Sequence, residues 1–334
     1  MKNARSVFSL VIASLLLLAS AAWAGDNKKD DVSQIGNRKV AKRSIISQEK
    51  EMAIGKQYAT EVERNAKMLT DPVVNEYVNR VAQNIARNSD LTVPLTVKVI
   101  DSPELNAFAL PGGFLYVNSG LILAADEESQ LAGVIAHEIA HVAARHWASM
   151  MTKSQILNYA SLALIFVPMS YPVYMGVSQA FMNGVPLAFL KFSRGDEAEA
   201  DYLGVQYMYK AGYDPNSYVS FFGKLLDQDR RSPGSVPTVF ASHPPTPDRV
   251  LKSEEAIKGV LPKREQYLIS TSEFDDVKSR LQIVISNRKR GQKEQSGPTL
   301  RKRDTTEQTT TQTQQPSDKP DQTEDKPPVL RRRD

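Results

Sequence analysis

The chain has 334 residues, 41% of them hydrophobic and 24% charged, and no cysteine. This length and composition bury a core in one or two domains and exclude a simple disordered chain, while the absence of thiols excludes disulfide staples and a lipid-modified cysteine. The formal charge of +4 belongs to the ends, because residues 25–285 carry 28 Lys or Arg against 30 Asp or Glu, so a basic nucleic-acid-binding body is excluded and no nucleic-acid partner is expected.

At the N-terminus, Lys2 and Arg5 precede an uncharged apolar run over 7–19, and Ala22 and Ala24 supply the small residues that a signal peptidase reads. This predicts a signal peptide over 1–24, cleaved after Ala24, and export of the chain. Residues 25–46 are polar and charged and read as a flexible arm. Ser47 followed by Met52, Ile54 and Tyr58 predicts a capped helix, and Asp71-Pro72 opens a second one with Val73, Tyr77, Val81 and Ile85 at helical spacing. Residues 95–101 alternate as a strand. Two β-prone runs between Asn106 and Asn118, around Pro111-Gly112-Gly113, predict a hairpin.

Asp126 is placed to cap the next helix, with Leu131, Ile135, Ile139 and Val142 as its core stripe. The same helix carries His137-Glu138-x-x-His141 on another face. Two imidazoles one turn apart can meet one tetrahedral zinc ion, and the neighbouring carboxylate is then held over the attacking water as a general base instead of on the metal. The metzincin pattern is excluded, since its third histidine would stand at Trp147 and its glycine at Ala144. His146, about 140° around a continuous helix from His141, falls on the core stripe and reads as a buried or supporting histidine.

A third ligand must come from elsewhere, and the stretch opened by Ser193 and Asp196, a capping pair, is the candidate. Glu197 and Asp201 are four apart and share a face, so Glu197 can ligate zinc while Asp201 accepts the other ring N–H of a ligand histidine. Glu199 points away from Glu197 by about 200°. The pattern calls for one Zn2+ per chain.

His137-Glu138-x-x-His141 with Arg145-His146, then Glu197-x-Glu199-Ala200-Asp201 and Ser242-His243-Pro244, resemble the gluzincin metallopeptidase superfamily that contains HtpX, Oma and the CAAX prenyl proteases. The 106–118 hairpin and residues 271–278 resemble its soluble periplasmic branch, typified by BepA and LoiP. The resemblance spans 47–280. It implies an α+β fold, a compact zincin domain over 47–285 that is mostly helical with a small sheet, whose edge strand, begun by Asn106 and Ala107, takes an extended substrate by main-chain pairing. It also brings His243 close to the metal. There a histidine can donate to the oxyanion that develops on the substrate or occupy the fourth zinc position, and Arg249 can assist at the substrate or fix the loop by pairing with a carboxylate.

The implied role is a zinc endopeptidase of the periplasm acting on misfolded or misassembled envelope proteins, and the competing class is a chaperone-like binding module with little proteolysis. A pure binder has no need of Glu138. Residues 154–190 contain no charged residue or histidine, are divided by prolines, and read as helices around the cleft; a membrane surface or outer-membrane partner is the other reading. Residues 286–334 read as a disordered basic polar tail, in which 298–304 recurs as 328–334. Two such basic clusters can add avidity for outer-membrane assembly machinery or an anionic envelope surface, with peripheral membrane association.

Overall fold

The computed structural model describes residues 29–163, 192–231, 243 and 246–296. Its sheet has three strands, β1 (Thr96–Ile100), β2 (Ala107–Leu110) and β3 (Phe114–Asn118), in the order β1-β3-β2. The central β3 runs parallel to β1 and antiparallel to β2, which leaves β2 at an edge. The hairpin turn is set by Gly112 and Gly113, at φ of 77° and 93°, a region that most side chains avoid. Both are also crowded. A Cβ on Gly112 would lie 2.5 Å from the Cα of Met52 on helix α1 (Gln48–Asn65), so the turn is seated on that helix.

Helix α2 (Pro72–Arg87) starts where the Asp71 carboxylate accepts the Val74 N–H. Its core face is Val74, Tyr77, Val78, Val81 and Ile85, whereas Val73 is 43% exposed, so the buried stripe is wider than expected and starts one residue later. A short helix, α3 (Ser119–Ala124), follows β3 without any sequence signal having announced it. Helix α4 (Glu128–Ala143) has Glu127 at its N-cap position, without a side-chain cap bond, instead of Asp126, whose own N–H is taken by the Gln130 side chain.

Nearly the whole of α4 is buried, because α2, β2, helix α6 (Arg194–Ala211) and helix α7 (Asn216–Arg231) all pack on it. Leu131, Ile135 and Ile139 are completely enclosed and Val142 only partly. Each enclosed side chain contributes about 1.5–3 kcal/mol of hydrophobic stabilisation. The packing of α6 on α4 is closest at Gly204, where a Cβ would come within 3.3 Å of the His137 backbone.

Helix α4 does not continue through His146. Ala144 and Arg145 interrupt it, Arg145 adopts a left-handed φ of 55°, and His146 opens a separate helix, α5 (His146–Ala163). The strained residue is held by its side chain, which donates to the buried Glu51 carboxylate at 2.8 Å and to the Ile46 carbonyl at 2.7 Å. Helices α8 (Pro247–Val260) and α9 (Ser272–Ser296) complete the order. They are capped by Thr246 and Thr271, and the Thr271 hydroxyl also donates to Glu128.

From Lys29 onward, the segment expected as a flexible arm is packed into the domain. Ile35, Val40 and Ile46 are buried, and Arg38 forms a 2.8 Å ion pair with Asp90 in which both side chains are 1% exposed. At the other end, α9 runs to Ser296, past the expected boundary at residue 285. The chain divides after Arg290, and of the second unit only the last turns of α9 are described. The predicted signal peptide, most of 154–190 and the repeated tail motifs lie outside the described residues. Among the described residues no helix is long and apolar enough to cross a membrane.

Candidate metal centre

The capping box formed by Ser193 and Asp196 fixes the start of α6, and this puts Glu197 in its first turn, facing α4. His137 and His141, one turn apart on α4, meet it there. His243 arrives from the segment before α8. Ligand-type atoms of these four buried residues all lie within 4.8 Å of one another.

Nε2 of His137 and Nε2 of His141 are 3.1 Å apart, and they lie 3.5 and 3.6 Å from the Glu197 carboxylate. Nδ1 of His243 is 2.7 Å from Glu197 Oε1. On the far side of each ring a second contact fixes its orientation. His137 Nδ1 is 2.9 Å from Asp201 Oδ1, and His141 Nδ1 is 2.9 Å from His146 Nδ1. Asp201 in turn accepts two guanidinium bonds from Arg249, at 2.6 and 2.7 Å, and one from the Tyr218 hydroxyl. Glu138, 3% exposed, accepts the backbone N–H of Ala109 on β2 at 3.1 Å.

The electrostatics follow from this crowding. Burial opposes a charge on His137, but Asp201 and Glu197 outweigh it and raise its pKa to about 9. Burial and the neighbouring His137, His243 and His146 rings hold His141 well below its usual value. Burial raises Glu197, yet His137 and His243 bring it well below the usual carboxylate range. In the same way Asp201 is lowered to about 2, because Arg249 and His137 offset its desolvation. His146, buried, stays below its usual value.

These residues fit a divalent cation. With Nδ1 of His137 and His141 engaged elsewhere, their Nε2 atoms, 3.1 Å apart, are the ones turned toward a cation, and Glu197 faces the same point. Glu197 Oε2 makes no hydrogen bond of its own, although Arg249 Nη1 lies 3.1 Å from it. Two imidazoles and a carboxylate are the donor set that zinc takes in hydrolytic sites.

The sequence-predicted residues are thus distributed unevenly. His137, His141, Glu197 and His243 converge, with Glu138 and Asp201 beside them. Arg249, expected at the substrate or in a carboxylate pair that fixes the loop, is a buried residue engaged with Asp201, Glu197 and the His243 carbonyl, which is the second arrangement. Asn106 precedes β2, and its carbonyl accepts the Asn118 N–H at 2.8 Å, so its acceptor points into the sheet. The outward groups belong to Ala107 and Ala109.

Three neighbours went unread in the sequence. Tyr218 on α7 donates to Asp201 and lies 3.4 Å from His137 Nδ1. Phe192 stacks on His141 with ring centroids 4.2 Å apart. Ala109 reaches Glu138. None carries a motif, and only the strand phase at Ala109 offered a signal.

Comparison with known proteins agrees with the geometry. The model of peptidase family M48 matches residues 72–257. The chain is 32% identical over 257 residues to a putative beta-barrel assembly-enhancing protease of Vibrio cholerae serotype O1, covering 75% of this chain and 51% of that protein. It is 29% identical over 240 residues to the beta-barrel assembly-enhancing protease of Escherichia coli strain K12, covering 70% and 49%. It is also 32% identical over 190 residues to the mitochondrial metalloendopeptidase OMA1 of Schizosaccharomyces pombe, covering 57% and 55%. The chain spans about half the length of the curated relatives it matches. With the family model covering the helices that carry His137, Glu138, His141 and Glu197, the chain belongs to peptidase family M48.

Proposed function

We propose that the chain is a zinc-dependent endopeptidase of the cell envelope, with His137, His141 and Glu197 as metal ligands and Glu138 as general base. One observation carries this reading: the Glu138 carboxylate touches both sides, accepting the Ala109 N–H of edge strand β2 and lying 3.9 Å from His243 Nε2 in the donor cluster. A site that only bound clients would not need a buried base there. Zinc, when bound, supplies a Lewis acid that polarises a peptide carbonyl and makes water acidic enough to lose a proton near neutral pH.

The protein's own residues do the rest. Ala107 and Ala109 turn main-chain groups outward, so an extended peptide can pair with β2 irrespective of its side chains. Such pairing takes over the Ala109 N–H and releases Glu138 to accept a proton from the attacking water and pass it to the leaving amine. Asp201, itself held by Arg249 and Tyr218, keeps His137 in the tautomer that presents Nε2. His243 faces both Glu197 and Glu138, with Nε2 3.9 Å from Glu138 Oε1, and acts on access to the reacting centre.

Misfolded or misassembled envelope proteins are the proposed substrates and the periplasm the proposed location. Two relatives are named for beta-barrel assembly, and residues 1–24 read as an export signal. The decisive experiment is metal analysis of the purified chain together with degradation of an unfolded test protein. One zinc per chain and degradation that stops on chelation and returns with zinc are expected; metal-free protein of undiminished activity excludes the proposal.

A further inference from the structure

We propose that His146 is a positioning residue for His141, and that the series His141, His146, Glu199, Lys42 makes the N-terminal segment a working part of the metal centre. The inference rests on the metal-ligand reading above and concerns residues outside the proposed ligand set.

The two helix ligands are supported differently. His137 Nδ1 rests directly on the carboxylate of Asp201. Nδ1 of His141 meets another imidazole instead, His146 Nδ1 at 2.9 Å. Only one proton fits between two nitrogens at that distance. For His141 to present a lone pair at Nε2 its proton must be on Nδ1, so His146 Nδ1 is the acceptor and its own proton lies on Nε2. That nitrogen is 3.2 Å from Glu199 Oε2, which takes the proton as an acceptor. The tautomer of His146, and through it that of His141, is thus fixed by Glu199.

Glu199 is held in turn. Lys42 Nζ lies 2.9 Å from its Oε2 and also pairs with Asp196, and Lys29 Nζ lies 2.9 Å from its Oε1. Lys29 and Lys42 belong to the segment ahead of α1, which is pinned by the Lys42 N–H on the Ala144 carbonyl at 2.9 Å and by Arg38 on Asp90. Opposite faces of α6 therefore serve α4, Glu197 directly and Glu199 through His146. His146, Asp196 and Glu199 have the makings of a second cation site, but the Lys42 ammonium already sits among those carboxylates. They form a support, not a second metal site. The break at Arg145 has a purpose in this arrangement, since an unbroken α4 would carry His146 away from His141.

The test measures zinc affinity of the full chain by competition with a chromophoric chelator, and the visible spectrum of the cobalt-loaded protein, which reads ligand geometry independently of peptidase activity. His146→Leu is expected to weaken zinc binding by about 10- to 100-fold and to shift the cobalt bands. His146→Asn, whose amide oxygen preserves an acceptor near the Nδ1 position, should recover part of the loss. Glu199→Gln and Lys42→Met, with His146 intact, should each weaken binding several-fold. Affinity within twofold of wild type and an unaltered spectrum in His146→Leu overturn the proposal. If that variant does not fold, Glu199→Gln and Lys42→Met decide it, and unchanged affinity in both overturns the role given to the N-terminal segment. His137→Ala separates the two readings: zinc binding that survives it removes the metal-ligand assignment itself, whereas binding lost there and kept in His146→Leu removes only this inference.

Discussion

The backbone N–H of Ala109 donates to the Glu138 carboxylate at 3.1 Å, so the proposed base and the proposed substrate edge are bonded to each other before any substrate arrives. Ala109→Pro removes that donor at a position where no bond within the sheet is lost, because the Asn106 to Asn118 bond directs Ala109 outward. A neutral main-chain hydrogen bond to substrate contributes about 0.5–1.5 kcal/mol. The expected outcome is a fall in kcat/KM on an unfolded substrate of roughly 2- to 10-fold, with zinc content unchanged. Wild-type kinetics would show that β2 takes no part in binding.

Glu138 and His137 are adjacent in sequence and separable by experiment. Glu138→Gln should keep zinc and fold and lose proteolysis, since the amide holds position without accepting a proton. His137→Ala should lose the metal. Zinc at about 100 times its dissociation constant stabilises the folded chain by roughly 2.7 kcal/mol, so chelation should lower the melting temperature of wild type and of Glu138→Gln but not of His137→Ala. A Glu138→Gln protein that digests substrate normally would remove the mechanism.

The site was readable from sequence where helical phase governs it. His137 and His141 at a spacing of four, and Glu197 and Asp201 likewise, needed only the geometry of one helix each. What the phase could not show was α4 ending at Ala143, because Arg145 is turned into a left-handed conformation by Glu51 and Ile46, almost a hundred residues away in sequence. Similarly, composition made residues 29–46 look like an arm. Their order comes from Arg38 and Lys42 meeting carboxylates on α6 and beside it, which charge counting along the chain cannot reveal. Tyr218 and Phe192 are invisible for the same reason: they reach the histidines only through tertiary packing.

Arg38 tests that order directly. Its pairing with Asp90 is fully enclosed, and the guanidinium also donates to Gln206 at 2.6 Å. Removing one member of a buried pair typically costs about 3–5 kcal/mol, because the other charge is stranded. Arg38→Ala should therefore lower the unfolding free energy by about that amount and expose the segment ahead of α1 to limited proteolysis. A loss below about 1 kcal/mol, the range of exposed pairs, would return this segment to a loosely attached arm.

His243 is the remaining histidine, and of its two expected roles we propose the one at the fourth metal position. A zinc hydrolase needs three protein ligands and one open place. Here His243 Nδ1 contacts Glu197 at 2.7 Å and its ring lies 4.8 Å, centroid to centroid, from that of His141, so the side chain stands inside the donor cluster. Its carbonyl is tied to Arg249 at 3.1 Å, and Arg249 reaches back to Asp201 and Glu197. The His243 backbone and the ligand set are thus joined through Arg249. If His243 is the fourth donor to a zinc ion held by His137, His141 and Glu197, removing its imidazole opens that place to water. His243→Ala is accordingly expected to retain zinc at one per chain and to degrade an unfolded substrate faster than wild type. Measured zinc content and initial rates check this together. A slower variant with full zinc would assign His243 to stabilising the developing oxyanion instead, and a variant without zinc would make it an obligatory ligand.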